Sequence, residues 1–247
     1  MSPDQAAVEF KQVSKSFGSS HVLSDVSFQV LQGETLCILG RSGTGKSVTL
    51  KLMIGLLKPD EGTVLIGSED ICGMDEKELS RIRREIGFLF QGAALFDSFT
   101  VGDNLALPEQ RFNPQKSAGE VKTDVEEMLR QVGLEHDIGK LPGELSGGMK
   151  KRAGLARALV MNPKLLLIDE PSSGLDRITA SEIDDLLLKI KTERHTTMVI
   201  VTHDIHGARK LADKVAVLDQ GALVGFGTFD ELKSSQNEVV RALTTEY

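Results

Sequence analysis

The chain has 247 residues, enough for one large α/β domain that buries roughly 70–75% of its unfolded surface without a disulfide or metal staple. A net charge of −7 with 10 Phe, 1 Tyr and no Trp excludes a basic, base-stacking platform, so no nucleic-acid partner is expected. Cys37 and Cys72 stand alone, without a CxxC pair, and read as small buried hydrophobes in a reducing compartment. Met1 to Phe10 carries neither a basic leader nor an apolar stretch, and every apolar run falls far short of the ~20 residues a membrane-spanning helix needs. Neither a signal peptide nor a membrane span is expected; at a membrane, a partner would supply the membrane part.

Residues 8–13 read as a first strand, and Val22, Val26, Phe28 and Val30 as one face of a second. Thr35–Leu39 is a continuous apolar run, as are residues 165–168, Thr197–Val201 and residues 215–218; runs of this kind are parallel strands buried on both faces. Residues 63–66 follow a Pro59-Asp60-Glu61-Gly62 turn. Val121, Val125, Met128, Leu129 and Val132 form a helical stripe, and Ile183, Leu186, Leu187 and Ile190 another. The second starts at Thr179, with Glu182 three residues on as a capping box. Pro108, Pro114 and Gly119 make residues 107–120 the most loop-like interior stretch, and a helical insertion is placed at about 91–160.

Gly40-Arg41-Ser42-Gly43-Thr44-Gly45-Lys46-Ser47 follows a strand and opens a helix, the context that a phosphate-binding loop requires. Its glycines let amides close on phosphate oxygens at a helix N-terminus, Lys46 would reach β- and γ-phosphates, and Ser47 would ligate Mg²⁺. Residues 165–168 end in Asp169 and Glu170: one carboxylate to hold Mg²⁺, one to polarise an attacking water. Ser146-Gly147-Gly148 opens a helix with the stripe Met149, Ala153, Ala156 and Val160. Each helical glycine costs about 1 kcal/mol against alanine, so the pair reads either as a plain turn or as amides left bare for an anion. Lys150, Lys151 and Arg152 read as a solvated helix face or a partner contact. His206 lies three residues beyond His203 with no third ligand near in sequence, so a zinc site is not expected.

These motifs, in this order over residues 8–232, resemble the ATP-binding subunits of ABC transporters. The resemblance implies an α/β P-loop NTPase (RecA-like) core with a mostly parallel sheet, an N-terminal antiparallel β patch and an inserted helical subdomain. It also implies an ATPase working as a head-to-tail homodimer with two ATP at its interface. Leu145-Ser146-Gly147-Gly148-Met149 is similar to the family signature, which completes the partner's ATP site; Met149 replaces the usual Gln and removes one hydrogen-bonding side chain. Gln91 matches the loop glutamine that senses Mg²⁺ and water and links to the permease. Asp176, in Ser173-Gly174-Leu175-Asp176, matches the loop that crosses between subunits. His203 matches the histidine that contacts the γ-phosphate, and Phe17 stands where an aromatic, usually Tyr, stacks on adenine.

Residues 145–157, 174–179 and 90–96 further resemble the Mla/Mce group of phospholipid-transport ATPases, with Arg177 in place of an expected proline. That likeness implies a peripheral subunit on the cytoplasmic face of a bacterial inner membrane, with two permease subunits, an MCE-domain lipid-binding protein and, in some members, a STAS-domain partner. The competing readings are a soluble ABC ATPase such as an iron–sulfur assembly ATPase, and an ABC ATPase for another small substrate; retention of Glu170 and His203 argues against a subunit that does not hydrolyse. In the tail, residues 233–247, the break Ser234-Ser235-Gln236-Asn237 follows a capping box at Thr228 and Glu231. Val239, Val240 and Leu243 beyond it are expected to dock on a second subunit or accessory partner.

Overall fold

The computed structural model describes residues 5–245; Met1–Asp4 of the leader reading, and Glu246 and Tyr247 of the tail, lie outside them. Two sheets share the work. A long hairpin, β1 (Ala6–Phe17) and β2 (Ser20–Leu31), joins β4 (Glu61–Ile66) and β5 (Glu69–Asp70) in an antiparallel sheet of order β2-β1-β4-β5. The second sheet, of order β10-β9-β3-β8-β7-β6, contains β3 (Thr35–Leu39), β6 (Ile86–Leu89), β7 (Leu165–Asp169), β8 (Thr197–Val201), β9 (Lys214–Asp219) and β10 (Ala222–Gly227). It is parallel except for the β9–β10 hairpin at one edge.

The apolar runs alternate between two cores, one on each face of this sheet. Cys37 and Leu39 of β3 join Leu166, Ile168, Met198 and Ile200 against helices α3 (Val101–Phe112), α4 (Ala118–Gln131), α5 (Gly147–Leu159) and α6 (Arg177–Arg194). Leu36, Ile38, Leu167 and Val199 face the antiparallel sheet together with α1 (Lys46–Met53) and α2 (Glu76–Arg83). Burial on both faces explains why these strands carry no polar alternation.

Several local expectations need correction. Val22 does not share the buried face of β2: Asp25 adopts φ 50°, the register slips, and Leu23 is buried in its place. Residues 107–112 are helical, because α3 runs through Pro108 to Phe112 with Val101, Asn104, Leu105 and Glu109 buried beneath it. A proline forfeits one intrahelical bond, here the one to the Asn104 carbonyl, and the packed face holds the helix regardless. Helix α6 starts before Thr179: Asp176 caps it, accepting from the amides of Ile178 and Thr179 at 3.0 Å each. Cys72 is half-buried and accepts the Val64 amide through Sγ, whereas Cys37 is fully buried and its thiol is pushed far above the ordinary range by desolvation.

The tail folds back on its own domain. Thr228 and Glu231 form the expected capping box of α8 (Phe229–Lys233), and Asn237 caps α9 (Glu238–Thr244) by accepting from Val239 and Val240. Val240 and Thr244 are 0% exposed, and Val239 and Leu243 pack on the same core. The tail stripe therefore covers this chain, because the Ser234–Asn237 break turns α9 back toward β9 and β10. Among the described residues no helix is long and apolar enough to cross a membrane.

Candidate nucleotide site

The site assembles at the C-terminal ends of four adjacent parallel strands, the edge at which open α/β sheets present their chemistry. β3 runs into the loop of residues 40–47, β7 ends on Asp169 and Glu170, β8 leads to His203, and β6 leads to Gln91. The 122-residue separation of Ser47 and Asp169 thereby collapses to hydrogen-bond distance.

The loop is shaped by backbone conformation. Gly43 and Gly45 have φ of 81° and 97°. A Cβ on Gly45 would also sit 2.7 Å from both the Val22 carbonyl and the Leu23 side chain, so only glycine fits where the loop passes β2. Gly45 is the N-cap of α1, leaving that helix's first amides unpaired by any capping side chain. Arg41, Ser42 and Gly43 are exposed at the loop crown, while Thr44 is buried and donates its hydroxyl to the Arg41 carbonyl at 2.9 Å. Lys46 is 7% exposed, and its Nζ donates to the carbonyls of Gly40 (2.8 Å) and Arg41 (3.0 Å). Burial pulls this ammonium below the usual lysine range, and the Glu170 and Asp169 carboxylates oppose that shift.

Ser47 Oγ donates to Asp169 Oδ1 at 3.0 Å. This hydroxyl–carboxylate pair is a hard oxygen donor set of the kind that suits Mg²⁺ and leaves most of the ion's shell to water and phosphate. Glu170, buried and held at φ 50°, anchors its amide on the Val201 carbonyl at 2.8 Å. Its Oε2 lies 2.7 Å from His203 Nδ1. An ionised carboxylate only accepts, so Nδ1 is the donor in this pair. Gln91 is exposed, and its Nε2 donates to Ser173 Oγ at 3.3 Å, joining the β6 loop to the loop after Glu170.

The remaining expected residues have other local partners. Phe17, at the end of β1, is 48% exposed with Lys15 Nζ 5.5 Å from its ring, an open aromatic face on the hairpin. Ser146 caps α5 by accepting the Met149 amide, and Gly147 and Gly148 form its first turn. A Cβ on Gly148 would lie 2.4 Å from Thr179 Cγ2, so this glycine is required by the approach of α6. Asp176 commits its carboxylate to the cap and to Thr179 Oγ1 at 2.6 Å, contacts that hold its pKa below the usual carboxylate value.

The site also departs from the sequence expectation at Lys151. Lys151 does not belong to a solvated face: it is 6% exposed, and its Nζ donates to the carbonyls of Gln91 and Glu170, the latter at 2.8 Å. Its neighbour one and a half turns on, Arg157, donates to the carbonyls of Ala94 (2.7 Å) and Ala93 (3.1 Å). Two cations of α5 therefore clamp the Gln91 loop, in which Ala93 and Ala94 adopt φ of 60° and 49°. The signal was present on a second face: Lys151 lies opposite the Met149–Val160 stripe and shares its side of the helix with Gly154, Leu155 and Ala158, at i+3, i+4 and i+7.

A family model described as ABC transporter matches residues 23–173. The chain is 46% identical over 239 residues to the "Probable ribonucleotide transport ATP-binding protein mkl" of Mycobacterium leprae, covering 97% of this chain and 69% of that one. It is 40% identical over 227 residues to the "Methionine import ATP-binding protein MetN" of Caulobacter vibrioides, covering 91% and 68%. The chain thus spans about two thirds of the length of these relatives. The dimeric, post-hydrolysis structure of the ATP-binding cassette MJ0796 bound to ADP and Pi superposes with a TM-score of 0.83 at 35% identity, covering 90% of this chain and 98% of that one. With its phosphate loop, paired carboxylates and matching cassette fold, the chain belongs to the ABC transporter family and is an ATPase of that family.

Proposed function

We propose that the chain is the ATP-hydrolysing motor of a bacterial inner-membrane transporter that moves phospholipid, acting as a homodimer on two permease subunits. The observation that carries the motor reading is the 2.7 Å contact of Glu170 with His203, on neighbouring strand ends and beside the Ser47–Asp169 pair. Lys46 releases its two loop carbonyls to hold the β- and γ-phosphates, and the bare amides of α1 add the positive end of the helix dipole. Ser47, Asp169 and Gln91 would hold Mg²⁺, which neutralises phosphate charge when bound. Glu170 accepts a proton from water as that oxygen bonds to the γ-phosphorus. The bond to the bridging oxygen breaks, and ADP and phosphate leave. His203, its Nδ1 held by Glu170, offers Nε2–H to the γ-phosphate when protonated. Ser146, Gly147, Gly148 and Asp176 act across the dimer on the partner's nucleotide, and Phe17 stacks on adenine.

The permease docks beside the Gln91 loop, in a groove of about 340 Å³ lined by Phe88, Phe96, Leu107, Phe112 and Met161 and rimmed by arginines such as Arg84. An aromatic floor with a cationic rim suits a short amphipathic segment carrying acidic residues. The lipid reading is supported by the resemblance of residues 90–96, 145–157 and 174–179 to the phospholipid group; the first two of these segments interlock through Lys151 and Arg157. An MCE-domain protein and, in some systems, a STAS-domain protein complete this assembly. The names of the mycobacterial relatives favour a second cargo, a ribonucleotide. Reconstitution with the co-purified permease decides between them. The lipid reading expects ATP-dependent movement of a fluorescent phospholipid between vesicles; ATP-dependent uptake of labelled ribonucleotide or methionine without lipid movement would replace it. A soluble scaffold as sole co-purifying partner would replace transport altogether.

A further inference from the structure

His203 is set by a very short helix, α7 (Ile205–Leu211), which begins two residues beyond it. Asp204 caps this helix, accepting from the His206 and Gly207 amides, and ties back to Thr202 Oγ1 through its own amide at 2.9 Å. Seven residues do not hold a helix in water, so its position is set by what packs on it. Ala208 and Leu211 enter the core on one side, and Gly207 abuts the Asp184 carboxylate of α6. The other side is held by the C-terminal tail. Arg209 Nη2 donates to the Thr244 carbonyl at 2.6 Å, and the guanidinium stands 4.7 Å from the centroid of Phe229. Thr244 is itself fully buried, its hydroxyl closing on the Val240 carbonyl at 2.8 Å, and α8 and α9 rest on β10 and β9. Arg209 and Thr245 form one wall of a cavity of about 510 Å³, and His203 and Leu175 lie on its lining too.

From this geometry we infer that Arg209 is a positioning residue for ATP turnover: by pinning α7 to the α8–α9 pair, it fixes the placement of His203 toward Glu170. The tail is then part of the hydrolytic apparatus although it carries none of its reacting groups. The inference rests on His203 acting at the γ-phosphate. A planar guanidinium serves both contacts at once, stacking on the ring while its edge reaches the carbonyl, and a lysine ammonium cannot do both.

The test compares Arg209→Met, Arg209→Lys and Phe229→Leu in the full-length chain, each alone and with His203→Ala, by steady-state and single-turnover ATP hydrolysis. Arg209→Met is expected to lower kcat about fivefold with KM for ATP unchanged, the split that marks an interaction acting after binding. Arg209→Lys should fall between it and the wild type, and Phe229→Leu, which keeps the carbonyl contact, should show the same split more weakly. In the His203→Ala background none should lower the residual rate further. Wild-type kcat in Arg209→Met, or an equal fall with and without His203, would overturn the coupling while leaving the histidine's role intact. Wild-type kcat in His203→Ala would overturn the role of the histidine and the coupling with it.

Discussion

The phosphate loop and the Gln91 loop lie at the ends of strands in the same sheet, yet they hold their shapes by different physics. The phosphate loop is written in its own backbone: glycines at positive φ, a helix start without a side-chain cap, and Lys46 folded onto the loop's carbonyls. The Gln91 loop has alanines where glycine would be comfortable, and its carbonyls are held by Lys151 and Arg157 reaching from α5. One loop holds its shape through its own backbone. The other depends on α5, whose first turn is Ser146-Gly147-Gly148, so a shift of that helix moves Gln91 and the Glu170 carbonyl together.

The largest effect is expected inside the self-contained loop. Lys46→Ala removes the buried cation and should abolish ATP binding, with turnover down at least about a hundredfold; nucleotide titration checks it, and wild-type affinity would remove this loop from the site. A smaller effect is expected from the clamp. Lys151→Met keeps most of the unbranched side chain but leaves the Gln91 and Glu170 carbonyls without their donor, a loss of about 1–3 kcal/mol for each buried group left unpaired. ATP binding should persist while kcat falls about tenfold. Equal losses in both variants would erase the distinction between the loops.

The smallest effect concerns stability at the α6–α7 contact. Asp184 is buried, and desolvation, reinforced by Asp204, pushes its pKa up to about 6 from an ordinary value of 3.8. The folded state therefore binds the proton more tightly than the unfolded chain, and stability from this group falls as pH rises from about 4 through about 6. Asp184→Asn should raise Tm by roughly 2–4 °C above pH 7, about 1 kcal/mol for a domain of this size, and the gain should shrink toward pH 4. A gain independent of pH would assign the effect to packing.

What could be read directly from sequence was whatever local chemistry decides. Thr35–Leu39 and Thr197–Val201 are strands with those boundaries because each is a short apolar run, too short for a buried helix and covered on both faces. The phosphate loop was legible because its glycine spacing is its structure. Tertiary context hid the rest. Lys151 was misread because charge predicts exposure unless the acceptors, distant in the chain, are known. Val22 was misplaced because one left-handed residue, Asp25, shifts the register of β2. The tail stripe was assigned to a partner because β10, with Gly225 close under Val240, was not visible as its seat.

The proposed hydrolysis turns on Glu170, placed against His203, taking the proton of the attacking water. The direct measurement is the fate of bound nucleotide in Glu170→Gln, which preserves shape and removes the base. The variant is expected to bind ATP as tightly as the wild type, to accumulate as an ATP-loaded dimer in sedimentation, and to turn over at least about a hundredfold more slowly. Near-normal release of phosphate from Glu170→Gln would contradict it and place the base on another residue.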